Sequence, residues 1–572
     1  MHNKMNKENI LKIEKMENIE SNSGSATNGQ SSDRLPYISS SPGEFPIIGS
    51  TICLDPNNPT REEFVTAREC GLSAGISGVR YYSDGSTYLT SKFRPNVLNS
   101  GIGLIVSTNT IKKDKYILDV LDDGDDKTAL EKIQDGILTT VQQPFVTGID
   151  IADEPAWGNL VYTGSTPIIH PTTSATSPAS IIISDNRGPL TKTYTLIDNI
   201  MKSQCDVNGI PYRQLYINFA GNNNSSWTGG HLAPIYYNYL KEVDNLLHPM
   251  CWSFDLYPGV INPETGFRYA EKLEDLYNIL DSYLQISIDT NRPFRMICLA
   301  TEFENGEGFY NPTPKINHLR LEVFTALAYG AQEIQYWTYC QRAHSDDVPD
   351  KYSSPPAPDS EDQSDYQKTL NGIEFYISSP VNRLGEKNQI WYSIQEINEE
   401  IRQFSRVFQG CRVLHIEHTN DFYESDLVKY LPDDKKPGFY THCDDLPLNV
   451  EIISEQTAVT ANDTNEDVTY EIAPIFKGVM VSYLCKDPDN MSTDSSAQSS
   501  VESAHAEHYA VIVTHDPDNY KTVKITFKSG YEITEMTPRV LRTNSDAQNL
   551  SSITRDLMPG GYLIFKYRKI AN

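Results

Sequence analysis

The sequence predicts an α/β chain: a disordered lead over 1–36, a (β/α)8 TIM-type barrel over 37–410, and a β-sandwich over 411–572. Three observations carry this expectation. Eight short runs rich in β-branched and aromatic residues recur between positions 47 and 338. Longer amphipathic segments separate them, which is the pattern of strands each followed by a helix. Beyond about Cys411 the helical periodicity stops and period-two alternation replaces it.

Taken in order, positions 1–36 are rich in Ser, Asn, Lys and Glu without periodicity, too polar to repay the entropy of ordering. The expected barrel strands are 47–54, 73–79, 103–108, 146–152, 214–219, 250–256, 294–300 and 333–338. Between the first two, Thr60 and Glu63 form a capping box after Pro59, where hydroxyl and carboxylate satisfy orphan backbone donors at a helix start. Leu273, Leu276, Tyr277, Leu280 and Leu284 fall on one helical stripe. Ile394, Ile397, Ile401, Phe404 and Phe408 form a second stripe ending near Gly410, and another helix is expected after Asn317. Two connections, 157–192 and 341–370, exceed what a bare barrel needs; loops on the carboxyl side of barrel strands are where sites are built. The acidic, Pro- and Ser-rich part of the second, 345–367, is expected to be a mobile surface segment. In the last region, 509–514, 522–527 and 562–567 alternate as sandwich strands, with a mobile loop expected over 487–507.

Asp and Glu number 76 against 48 Lys and Arg, a formal charge of -28 over 572 residues, which repels phosphate backbones and anionic membrane surfaces. Nucleic acid is therefore not an expected partner. No stretch approaches the ~18 continuous apolar residues of a membrane span, and the first fifteen residues lack the apolar core of a signal peptide. A cytoplasmic residence is the default expectation, a periplasmic or secreted one applying if a signal has been removed. The nine cysteines imply no disulfide framework; Cys53, Cys251, Cys298 and Cys340 sit in or beside apolar runs as small hydrophobes. The 34 tyrosines and five tryptophans suit stacking against a neutral polar ligand.

The chemistry-bearing residues gather at strand ends. The fourth strand runs into Asp153-Glu154-Pro155, and the loop that follows opens with Trp157. The seventh ends Leu299-Ala300-Thr301-Glu302-Phe303-Glu304, placing a second carboxylate at the same rim. Glycosidic cleavage needs one carboxyl to protonate the leaving oxygen and another to attack the anomeric carbon, ~5 to 5.5 Å apart in retaining enzymes. Carboxylates from two strand ends of one barrel can meet that spacing. The fifth strand adds Asn218, the sixth Asp255 and Tyr257, and the eighth Trp337 and Tyr339, a polar set with an aromatic floor suited to a sugar. Glu302 and Glu304 share alternation parity, so parity does not choose between them; reach favours Glu302, because two further extended residues displace a side chain by ~6.6 Å.

With these residues a family resemblance becomes visible. From about Pro46 to Gly410 the chain resembles the catalytic barrel of glycoside hydrolase clan A, and within it the bacterial family 42-like, β-galactosidase-like proteins. The matching segments are Asp153-Glu154-Pro155, Ser253 to Pro258, and Leu327 to Ala331 leading into Ile334 to Tyr339. The resemblance implies Glu154 as acid/base, Glu302 as nucleophile, Tyr257 beside the nucleophile and Trp337 beneath the sugar. Many members carry Asn before the acid/base, where this chain has Asp153; the like charge would raise the pKa of Glu154 and help keep it protonated.

The expected function is thus a retaining glycoside hydrolase acting on a β-linked oligosaccharide or polysaccharide, galactosides included, without cofactor or metal. Asp153, Trp157, Asn218, Asp255, Tyr257, Glu304, Trp337 and Tyr339 are its substrate-binding candidates. The alternative is a non-catalytic carbohydrate-binding or scaffolding protein on the same barrel. His505 and His508 lack zinc-site order, and Asp122 to Asp126 lacks the spacing of a calcium loop.

Overall fold

The structure is a computed structural model that describes residues 44–55, 58–79, 89–108, 137–153, 189–220, 232–259, 261–262, 266–267, 269–304, 310–341, 375–382, 384–419, 423–440, 445–455, 458–463, 466–471, 474–486, 505–537 and 551–570. The lead, the segment 345–367, Asp122 to Asp126 and most of the 157–192 connection lie outside them.

Eight parallel strands close into a barrel: Ile47–Ser50, Ala74–Val79, Gly103–Thr108, Val146–Asp153, Gln214–Ala220, Trp252–Asp255, Phe294–Leu299 and Glu333–Trp337. The first pairs with both the second and the eighth, in register from Ile47 opposite Ile334 to Gly49 opposite Tyr336, so no edge is left unpaired. All eight runs anticipated from sequence are strands. The first is shorter than its apolar run because Thr51 takes a φ of 55°, which a β-branched residue holds only where the chain turns.

The helices follow the stripes. At Arg61–Glu69 the backbone N–H of Thr60 donates to Glu63 Oε2 at 2.6 Å and the Glu63 N–H to Thr60 Oγ1 at 3.4 Å, the reciprocal box expected there. Tyr269–Thr290 buries Leu273, Leu276, Tyr277, Leu280 and Leu284. The helix expected after Asn317 begins at Ile316, with Lys315 at its cap position and no side-chain cap bond. The last stripe is divided between Gln389–Gln403 and Ser405–Phe408, with Phe404 outside helical geometry.

The barrel interior is unexpectedly polar at its amino end. Arg295, wholly buried, donates from Nε to Glu333 Oε2 at 2.6 Å and from Nη1 to Gln335 Oε1 at 3.2 Å, and lies over the Tyr216 ring at 4.4 Å. Alternation explains the layering: 333, 335 and 337 on the eighth strand face one way, and Tyr336 faces out to donate to Asn398 Oδ1 at 2.9 Å.

Beyond the carboxyl ends of strands six to eight, Phe375–Ser378, Glu302–Glu304, Tyr310–Asn311, Ile261–Asn262 and Gly266–Phe267 form an antiparallel rim sheet. It was not anticipated, since strands of two to four residues leave no periodic trace.

The C-terminal region packs a five-stranded sheet on a three-stranded one. The larger has the order Arg412–His418, Val479–Lys486, Glu507–Thr514, Tyr562–Lys569, Tyr531–Glu535; the smaller joins Leu448–Glu455, Lys521–Phe527 and Ser552–Leu557. Val481, Ala510, Ile512 and Phe565 face the smaller sheet, while Met480, Leu484, Val511 and Ile564 belong to the barrel's core. A sheet covered on both faces reads as apolar at nearly every position, and Val479–Lys486 does. The barrel side is sealed by helix Ile316–Ala328: Phe324 stacks on Tyr562 with centroids 3.6 Å apart, and Ser482 Oγ donates to Ala328 O at 2.6 Å.

Candidate active site

At the carboxyl rim the fourth, fifth and sixth strands end side by side, Asp153 in register with Asn218 and Ala220 with Asp255. Asn218 is 2% exposed. Its amide is fixed from both sides: Ser253 Oγ donates to Asn218 Oδ1 at 3.2 Å, and Asn218 Nδ2 donates to Asp255 Oδ1 at 3.0 Å. The amide orientation therefore follows from its partners, and half-buried Asp255 stands at the edge of the mouth.

The seventh strand stops at Leu299. The Ala300 N–H still donates to Trp337 O at 2.6 Å, and then Thr301 bends the chain away, its hydroxyl 2.8 Å from Ser379 Oγ. Glu302 opens the rim strand, paired with Ser378, and its Oε2 accepts from Thr313 Oγ1 at 2.5 Å. It is half-buried. Extended pairing persists through Glu304, opposite Tyr310 and Phe375, but in the rim sheet and not in the barrel, with a register shift between Glu302 and Phe303. The extra residue at that shift, Ile377, lies on the partner strand, and 302 to 304 pair at consecutive positions.

Tyr257 lies half-buried just past the sixth strand and, with Leu299 and Thr313, lines a cavity of about 350 Å³. Trp337 is half-buried at the end of the eighth strand, in register with Leu299. Tyr339 is not at the mouth. It is wholly buried in the layer between barrel and helix, its hydroxyl accepting from Trp391 Nε1 at 2.9 Å, because the strand ends at Trp337 and alternation no longer governs the next residues. Glu154 and Trp157 lie outside the described residues, and Asp153 is described by its strand pairing alone.

Sequence reasoning missed Thr313, which holds Glu302, and Glu322, which lines the same cavity from helix Ile316–Ala328. For Glu322 a signal existed: it is an acidic residue inside the run Leu319 to Ala328, every member of which is buried. Among the described residues no group of three or more His, Cys, Asp or Glu side chains is placed to hold a metal ion, and no helix is long and apolar enough to cross a membrane.

No family model matches the chain, and no curated protein does. Solved structures do. A catalytic mutant of a GH42 β-galactosidase from G. stearothermophilus matches with a TM-score of 0.48 at 9% identity over 93% of this chain and 99% of that one. A β-galactosidase from Bacillus circulans sp. alkalophilus gives 0.47 at 11% over 93% and 100%. The β-galactosidase of the psychrophilic Marinomonas ef1 gives 0.38 at 13%, and there the match covers 63% of this chain and 60% of that longer enzyme. The chain is thus similar to glycosidase barrels at low identity, and its own closed ring of eight parallel strands is what establishes the fold.

Proposed function

We propose that the chain is a retaining glycoside hydrolase acting on a β-linked glycan, with β-galactosides the first substrates to test. The observation that carries the reading is Glu302, a half-buried carboxylate held by Thr313 just beyond the seventh barrel strand, at the rim shared by Asn218 and Asp255. Glu302 attacks the anomeric carbon while Glu154 protonates the departing glycosidic oxygen; Glu154 then takes a proton from the water that hydrolyses the glycosyl ester. Asn218, oriented by Ser253 and Asp255, is the group to hold a ring hydroxyl, and Trp337 and Tyr257 bound the sugar. In this reading the barrel performs the chemistry and the region after Cys411 covers its flank.

A panel of aryl β-glycosides tests the proposal. Sugar release with retained anomeric configuration is expected, and Glu154→Gln should slow poor leaving groups by about 10²-fold while sparing good ones. Equal, small losses on both would remove Glu154 from the mechanism. Ligand-induced thermal stabilisation without turnover on any glycoside would favour the binding-protein alternative.

A further inference from the structure

The cavity of about 350 Å³ beside Glu302 has features of a ligand site, and its volume falls at the lower end of the ~300 to 1,000 Å³ typical of small-molecule pockets. Its walls come from three parts of the fold: Tyr257 and Leu299 at strand ends, Thr313 in the segment leading to helix Ile316–Ala328, and Asp518 from the C-terminal region. Its basic side chains are engaged: Lys315 Nζ and His318 Nε2 lie 3.4 and 3.2 Å from Asp518 Oδ1. Glu322 is different. It is 5% exposed, lines the cavity, and its Oε2 is buried without a hydrogen-bond partner among the described residues. That oxygen is closed to a water molecule, so the carboxyl meets the cavity through Oε1, which makes no hydrogen bond among the described residues either, and a ligand there gives it a partner.

We propose that this cavity binds one pyranose unit of the glycan, with Glu322 as the side chain that selects it by hydrogen bonding to a ring hydroxyl. The chemistry of Glu322 narrows the ligand. Burial pushes its carboxyl up to about 8, so near neutral pH it is mostly the protonated acid, able either to donate or to accept at Oε1. A hydroxyl can reciprocate both roles, and it also serves the ionised form as a donor. The Tyr257 ring and the Leu299 side chain offer apolar surface for the C–H face of a sugar. Thr313 touches both the cavity and Glu302, so the bound unit lies next to the candidate nucleophile. Its assignment as part of a substrate rests on the glycosidase reading; the pocket's affinity for a pyranose does not.

Calorimetric titration of the full chain with D-galactose, D-glucose, D-mannose and D-xylose tests this, using Glu322→Leu and Glu322→Gln beside the wild type. At least one sugar should bind, at least 10-fold more weakly in Glu322→Leu, and within about 3-fold of wild type in Glu322→Gln. Glu322→Leu should melt no lower than wild type, since it removes an unanswered buried carboxyl, so its loss of binding cannot be ascribed to unfolding. Binding of no sugar, or affinity unchanged in Glu322→Leu, would overturn the proposal. Glu322-dependent binding in a chain that hydrolyses no glycoside would keep the pocket and reject the glycosidase; hydrolysis with Glu322-independent binding would do the reverse.

Discussion

Glu333 at the floor of the barrel and Glu322 beside the seventh strand are both almost fully buried, yet they meet opposite surroundings. Arg295 and the layer of Gln335, Tyr216 and Ser253 enclose the first, and around the second the described residues leave Oε2 unanswered. A carboxylate with a matched guanidinium inside a closed ring of strands is a structural element, whose removal unbalances its partner. One that lines a cavity with no hydrogen-bond partner among the described residues is where a ligand is proposed to sit. The contrast separates the part of this barrel that specifies its architecture from the part open to a ligand.

The largest expected effect breaks the comparison at the floor. Arg295→Met leaves Glu333 buried and unpaired and should lower stability by about 3–5 kcal/mol in chemical denaturation, with Glu333→Leu in the same chain restoring most of it. A loss under ~1 kcal/mol would mean that the pair contributes little.

At the shoulder the sign reverses. The folded pKa of Glu322 is raised from 4.5 to about 8, so folding favours the protonated form; stability from this group is complete below 4.5 and is lost as pH rises through 8. Glu322→Leu should therefore stabilise the protein, little at pH 4.5 and most above pH 8, with an upper bound of about 1.4 kcal/mol per unit of that shift. Denaturation midpoints at pH 5, 7 and 8.5 measure it, and a pH-independent difference would contradict it.

A third buried acid sharpens the contrast. Asp281, under the C-terminal region, accepts from Tyr440 and Tyr423 hydroxyls at 2.7 and 2.8 Å, and burial still lifts its carboxyl to about 7. Its stabilising effect is likewise present below 3.8 and fades as pH rises through 7. Nearby, burial holds His418 and His515 below their usual range, an opposing contribution that is present above 6.5 and lost as pH falls. Asp281→Asn should cost about 1 kcal/mol at pH 5 and flatten the decline toward pH 7, because the amide retains one acceptor for the tyrosines.

The strands and stripes were legible because burial against a single neighbour imposes a period: the five residues from Leu273 to Leu284 and the box at Thr60 needed no tertiary knowledge. The alternate polar positions Glu333 and Gln335 were also visible, although only the pairing of the seventh and eighth strands sets Glu333 opposite Arg295. The rim sheet was not legible, since its short strands exist only where distant segments meet. Tyr339 was misplaced by extending alternation beyond the strand, and Glu322 was hidden by the apolar helix around it.

Double displacement in this barrel requires Glu302 as the nucleophile. Incubation with an activated 2-deoxy-2-fluoro-β-galactoside, followed by peptide mapping, should find one glycosyl adduct, on the peptide containing Thr301 and Glu302, with fragmentation assigning it to Glu302. An adduct on Glu304 or another residue would reject the nucleophile, and an inverted anomeric product from the unmodified substrate would contradict the double displacement itself.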